Sequence, residues 1–351
     1  MKITDIDKNF KIETSLPFDD VQFYDCEEAP FKIYGLIKEN GSFRRLPEEV
    51  ARSVSDQVYF LHTHTAGGRI RFQTDSEYIA INVDMGPYEL SSQGSATGGA
   101  GFDIYMTEDG EQEYLRTFIP PLHLDGRFES YVTFVERSGM KELTINFPDY
   151  APVRQVLIGL QKTAKLLPPN PYKYEKPVVF YGSSITQGAC ASRPGNAYTA
   201  TVCRHLDTDY INLGFSGSAK GEDEIANYIK DLDMSVFVYD YDHNAPEPED
   251  LLRTHKRMFD IIRKQQPDLP IIMMSKPNYR LGPKGVKRLE IIRATYEAAL
   301  AQGDKNVYFI PGPELMAIAK NEGTVENCHP NDLGMFSMAK AVEKVLKNIL
   351  P

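Results

Sequence analysis

Apolar residues recur with two different periods in this chain, and the change of period constrains the fold more than any other feature. Through roughly the first 160 residues, short apolar runs alternate with turn signals. In Arg69-Ile70-Arg71-Phe72 the two apolar side chains fall on one face and the two arginines on the other. Leu143, Ile145 and Phe147 repeat the pattern. A period of two means half-buried strands. Such strands are expected over 31–37, 58–61, 69–72, 77–83, 102–106, 114–119, 131–136, 142–147 and 153–160. With no convincing helical pattern among them, a β-sandwich or jelly roll is expected.

Prolines 168, 169, 171 and 177 then crowd one short stretch. Proline blocks both helix and central strand, so a linker or rigid crossover is expected there. Beyond it, apolar strands at 178–181, 210–213, 236–239, 271–274 and 307–310 alternate with helical stretches near 197–206, 222–232, 249–266, 286–302 and 332–349. That alternation implies a parallel sheet covered by helices on both faces. The organisation expected is a sandwich over 1–165, a Pro-rich connection over 166–176 and an α/β domain over 177–351. Two domains also suit 351 residues at about 150 residues per domain.

Charge narrows the partners. Basic residues number 39 against 49 acidic, a net of −10, which argues against a nucleic-acid or membrane-surface role, since both need a basic face. The cysteines at 26, 190, 203 and 328 show no CxxC spacing, so neither a zinc ribbon nor a disulfide scaffold is expected. The opening MKITDIDKNFKIETSLPF has no apolar core of the kind a secretory leader needs, and a cytoplasmic protein is expected.

In an open parallel sheet, ligands bind beyond the carboxyl ends of the strands, so the residues just after each strand are the ones to read for chemistry. After the first comes Gly182-Ser183-Ser184-Ile185-Thr186-Gln187-Gly188, a hydroxyl at a helix start. After the second comes Gly214-Phe215-Ser216-Gly217, and after the third Asp242-His243-Asn244-Ala245-Pro246. Beyond the fifth comes Glu326-Asn327-Cys328-His329-Pro330.

These blocks resemble those of the SGNH (GDSL-like) hydrolases, named for Ser, Gly, Asn and His in that order on a flavodoxin-like sheet. Ser184, Gly217, Asn244 and His329 fall on the four positions, and Glu326 stands three residues before the histidine, where the family carries its acid. The match covers roughly 175–351. Ser183 replaces the Asp of the usual GDS, Asp242 and Ala245 flank Asn244 in place of GxND, and Glu326 replaces the usual Asp. In the first half, Gly101-Phe102-Asp103-Ile104-Tyr105 resembles the GxDLY motif of a β-sandwich that precedes some SGNH hydrolases.

The resemblance implies a serine nucleophile, Ser184, with His329 as its base and Glu326 orienting the ring. The Ser184 and Gly217 amides and the Asn244 side chain would form the oxyanion hole. The reaction implied is acyl transfer from an ester to Ser184, then hydrolysis, with no metal or organic cofactor. By analogy with SGNH enzymes that deacetylate carbohydrates, a small-molecule or oligosaccharide ester is the expected substrate. An acyltransferase using the same serine, a non-catalytic carbohydrate-binding protein and a metal-dependent deacetylase are the rivals; oligomeric state is not legible.

Other residues carry weaker signals. His62 and His64 share one side of an expected strand, a spacing that suits a metal pair, but satisfied or surface histidines are the better reading. Asp103 and Tyr105 read as structural or interface residues. Arg193 could clamp an anionic or hydroxyl-rich substrate group, or form a surface salt bridge. Cys190 and Cys328 lie near catalytic positions in sequence and read as free thiols, with a redox pair as the sharper alternative.

Overall fold

The computed structural model describes residues 15–89, 91–121, 126–134 and 137–350. Most of the opening stretch, residues 1–14, lies outside the described residues, as do positions 135 and 136 of one expected strand. Among the described residues, no helix is long and apolar enough to cross a membrane.

The first half opens with β1 (Val21–Asp25), β2 (Lys32–Tyr34), β3 (Ile37–Glu39) and β4 (Ser42–Arg44), then α1 (Glu48–Val54) and α2 (Asp56–Leu61). Next come β5 (Arg69–Thr74), β6 (Tyr78–Met85), the short α3 (Ala96–Gly99), β7 (Phe102–Glu108), β8 (Glu111–Phe118), β9 (Gly126–Thr133), β10 (Lys141–Asn146) and β11 (Val153–Gln161). One antiparallel sheet runs β1-β11-β6-β9. The other runs from β12 (Leu166–Leu167) through β5-β10-β7 to β8, with β2 also on β5. Ile79, Ile81, Val83, Val156 and Ile158 from one sheet meet Ile70, Phe72, Ile104, Leu143 and Ile145 from the other in one buried core. These are the apolar halves of the alternating runs, so the period of two places the core of a sandwich.

Two details differ from the sequence reading. Residues 58–61 are helical, not a strand: the Ser55 hydroxyl caps the helix by accepting from Val58 N–H at 3.2 Å, and Val58 and Leu61 are buried three residues apart. A four-residue apolar run carries too little periodicity to separate the two conformations. The arginine face of β5 is also not in water. Arg69 is 3% exposed, its guanidinium 3.9 Å over the Tyr210 ring and paired with Asp209; Arg71 lies 3.9 Å over Tyr172 and bonds Glu142 at 2.8 Å. The polar face of this sheet is an interface with the second half.

That half contains β13 (Tyr174–Gly182), α4 (Ser184–Gln187), α5 (Tyr198–Leu206), β14 (Thr208–Gly214), α6 (Asp223–Ile229), β15 (Val236–Asp240), α7 (Pro248–Gln265), β16 (Ile271–Met274), α8 (Pro283–Ala301), β17 (Val307–Ile310), α9 (Gly312–Leu315) and α10 (Asp332–Ile349). The sheet is parallel, in the order β14-β13-β15-β16-β17. Counted from β13 this is 2-1-3-4-5, the flavodoxin-like order. Separate buried clusters cover its two faces, as the continuous apolar strands require. The order in which strands are added reverses between β13 and β15, so the crevice at their carboxyl ends is where a ligand is expected.

Candidate active site

Ser184 stands at that crevice. The strand β13 ends on Gly182, where a Cβ would come within 1.9 Å of an Asp240 carboxylate oxygen and 2.2 Å of the Thr186 hydroxyl, so only glycine permits the tight approach. Ser183 caps α4 by accepting from Ile185 N–H at 3.1 Å. Ser184 is therefore the first helical residue, and its own N–H lies among those with no intrahelical partner. Thr186 donates to the Asp240 carboxylate, whose burial pushes it well above the usual carboxylate range.

His329 reaches Ser184 from the far end of the sheet. Its Nε2 is 2.9 Å from the Ser184 hydroxyl, and its Nδ1 faces a Glu326 carboxylate oxygen. The His329 backbone N–H also donates to both Glu326 oxygens at 3.2 Å. A carboxylate can only accept, so the ring proton belongs on Nδ1 and the Nε2 lone pair is left for the Ser184 proton. Burial alone would raise the Glu326 carboxyl, but the bonds from His329 outweigh it and hold the group below its ordinary value. The intervening Asn327 is left-handed, φ 65°, which folds acid and base onto one turn. The extra methylene of Glu326 relative to Asp thus does not prevent contact.

Gly217 is exposed on the loop after β14, with φ 67°, a conformation that side chains disfavour. Asn244 lies in the turn after β15 and donates from Nδ2 to the Phe215 carbonyl of that same loop at 3.2 Å. A cavity of about 150 Å³ is lined by Ser184, His329, Ser216 and Cys190 on one side. Its other side comes from the sandwich: Glu89, Ser91, Ser95, Gly98 and Tyr150. Tyr150 donates its hydroxyl to the Ser184 carbonyl at 3.2 Å. This second wall had no signal in the sequence, because loop residues far apart in the chain meet only through the interface.

A second hydrogen-bonded chain also went unread. The Ser183 hydroxyl lies 2.7 Å from His243 Nε2, and His243 Nδ1 is 3.3 Å from Asp242 Oδ1. Asp242 Oδ2 accepts from Lys276 N–H at 3.0 Å. The signal was present, since His243 sits between two residues already singled out.

Arg193 is turned toward the sandwich, not among the cavity-lining residues. Its guanidinium lies 3.9 Å over the Tyr114 ring, with Nε 3.5 Å from buried Asp103. Asp103 also accepts from Asn146 at 2.7 Å and from Gly195 N–H at 2.8 Å, while Arg204 stacks over Tyr105 at 4.3 Å. The Gly101–Tyr105 motif is thus a latch onto the segment after Ser184. His62 and His64 are on no named strand: His62 ends α2 against the Tyr59 carbonyl, and His64 Nδ1 is 3.3 Å from Gln187 Nε2. Among the described residues, the one group of three clustered metal-ligand side chains is Glu326, Cys328 and His329, not the two histidines. Cys190 and Cys328 are free thiols, both half-buried.

Residues 175–347 match the GDSL-like Lipase/Acylhydrolase family, and residues 21–166 match the N-terminus of SGNH-hydrolase-type esterases. Among solved structures, a GDSL-like lipase of Bacteroides ovatus ATCC 8483 is 28% identical over 94% of this chain and 98% of its own, with a TM-score of 0.83. The salicylyl-acyltransferase SsfX3 of a tetracycline biosynthetic pathway is 22% identical over 95% and 99%, TM-score 0.78. The acetyl xylan esterase Est2A of Butyrivibrio proteoclasticus is 14% identical over 93% and 98%, TM-score 0.59. No curated protein matches the sequence.

Proposed function

Because the chain belongs to the GDSL-like lipase/acylhydrolase family and carries the N-terminal module of SGNH-type esterases, we propose that it is a serine esterase removing acetyl or other short acyl groups from an acylated carbohydrate. The observation that carries the reading is the Ser184–His329–Glu326 chain at the wall of a cavity of about 150 Å³. A space of that size holds a benzene-sized group, so an acetyl group fits. In this reading residues 1–165 form an accessory domain, 166–176 the connection and 177–351 the catalytic domain.

His329 takes the Ser184 proton as the hydroxyl attacks the ester carbonyl. Glu326 holds the ring and stabilises the imidazolium that results. The oxyanion is received by the Ser184 and Gly217 amides and by Asn244, whose amide keeps a second N–H beyond the one given to Phe215. The alcohol leaves with the proton from His329, and water repeats the sequence to free the acid. Labelling with a serine-directed fluorophosphonate, followed by mapping of the modified residue, tests the nucleophile without knowing the substrate. Modification anywhere but Ser184 would sink the reading.

The acyltransferase is favoured by one observation: Ser184 is only 5% exposed, under a wall supplied by the other half. Restricted water would let an alcohol compete for the acyl group. Turnover of an acetyl ester with and without a sugar acceptor separates the two, since transfer yields a new ester and hydrolysis yields only acetate.

A further inference from the structure

The turn that holds the acid and the base also holds a thiol. Cys328 lies between Glu326 and His329, and donor atoms of the three side chains all fall within 4.8 Å of one another. The left-handed Asn327 folds the four residues tightly enough for this. Cys328 is a free, half-buried thiol to which the esterase mechanism gives no task. Cys190, φ 67°, is a second half-buried thiol, on the wall of the cavity beside Ser184 and His329. Sulfur, imidazole nitrogen and carboxylate oxygen are the donors that zinc and its heavier congeners take, four at a time in tetrahedral sites.

We propose that Glu326, Cys328 and His329, with water as the fourth ligand, bind a thiophilic divalent cation such as Zn²⁺ or Cd²⁺, and that its binding switches the enzyme off. The inference rests on His329 acting as the base. A neutral imidazole has one lone pair; a cation that takes it leaves none for the Ser184 proton. The Cys328 thiol loses its proton to solvent on binding, so affinity rises with pH. The cation is an inhibitor here and takes no part in turnover.

The test adds Zn²⁺ or Cd²⁺ to the full-length protein and reads both ester hydrolysis and the ultraviolet charge-transfer band of a Cd–thiolate. The wild type is expected to lose activity, to regain it on chelation, and to form the band at one Cd²⁺ per chain. Cys328→Ser and Cys328→Ala are expected to keep their metal-free activity, to lose the band, and to need at least about tenfold more metal for inhibition. Equal inhibition of wild type and both variants would overturn the site, because a cation on His329 alone needs no thiol. A full band on a protein with undiminished turnover would overturn the switch. Failure of the esterase reading shows differently: no ester turned over before metal is added, with the band intact.

Discussion

Ser183 and Ser184 are neighbours in the chain, and each faces a histidine whose other nitrogen faces a carboxylate. The two chains differ in access. Ser183 is wholly buried, its oxygen already accepts from Ile185 N–H, and Asp242 is occupied by Lys276 N–H. Ser184 lines a cavity, and Glu326 lies on an exposed turn. A serine, a histidine and an acid in series are therefore not in themselves a nucleophilic site; room for an ester beside the hydroxyl is what separates them. The Ser183 chain instead fixes the cap that aims the cavity-facing one.

The sharpest break between the two is the substitution of each serine. Ser184→Ala is expected to lower kcat by about 10⁶-fold and to abolish fluorophosphonate labelling, the loss seen when a serine nucleophile is removed. Ser183→Ala should keep labelling at Ser184 and lose about 1 kcal/mol of stability, the worth of an N-cap. Labelling lost in Ser183→Ala alone would reverse the assignment. Among the acids, Glu326→Gln should cost about 10⁴-fold in kcat, less than His329→Ala, because the base survives with its orientation loosened. A Glu326→Gln variant with unaltered kcat would reduce the site to a dyad.

Next in size, Asn244→Ala should cost about 100- to 1,000-fold in kcat with little change in KM, as for one oxyanion donor. A change confined to KM would remove it from that role. His243→Ala, which leaves a buried Ser183 and Asp242 short of partners, should cost about 1–3 kcal/mol in denaturant unfolding while Ser184 remains labelled. A further effect is on pH. Burial lowers His64, which supports Gln187 behind both serines, to about 3 from an ordinary 6.5. Between those values the unfolded chain binds the proton and the folded chain does not, so stability present above pH 6.5 is lost as pH falls toward 3. The slope is at most about 1.4 kcal/mol per pH unit. His64→Gln should flatten the stability profile in that interval; an unchanged slope would discount His64.

Legibility followed the range of the interaction that decides each feature. The five parallel strands are buried on both faces and read as plain apolar runs, so their positions followed from sequence within a few residues at each end. That Ser184, His329 and Glu326 meet was legible because each follows a strand or precedes a helix in an order that a known family shares. What did not follow was decided between halves. The β5 arginines looked like a solvent face and are buried against Tyr210 and Tyr172. Arg193 read equally as a substrate clamp or a surface salt bridge, and its pair is Asp103, inside the sandwich. The run at 58–61 was misread because Ser55 caps it, a local hydrogen bond that outweighs β-propensity.

Arg45 carries the consequence of that interface. Its buried guanidinium gives N–H groups to the carbonyls of Leu61 and His64 in one half and of Asn212 and Gly214 in the other. Pulling the halves apart would strand a cation and bare two carbonyls at the end of β14, at a cost of about 1–3 kcal/mol for each neutral group and more for the charge. Melting should accordingly be a single cooperative event for the whole chain. A protease nick in the proline-rich connection should leave two fragments that still travel together, and the α/β fragment expressed by itself should have no independent folded life.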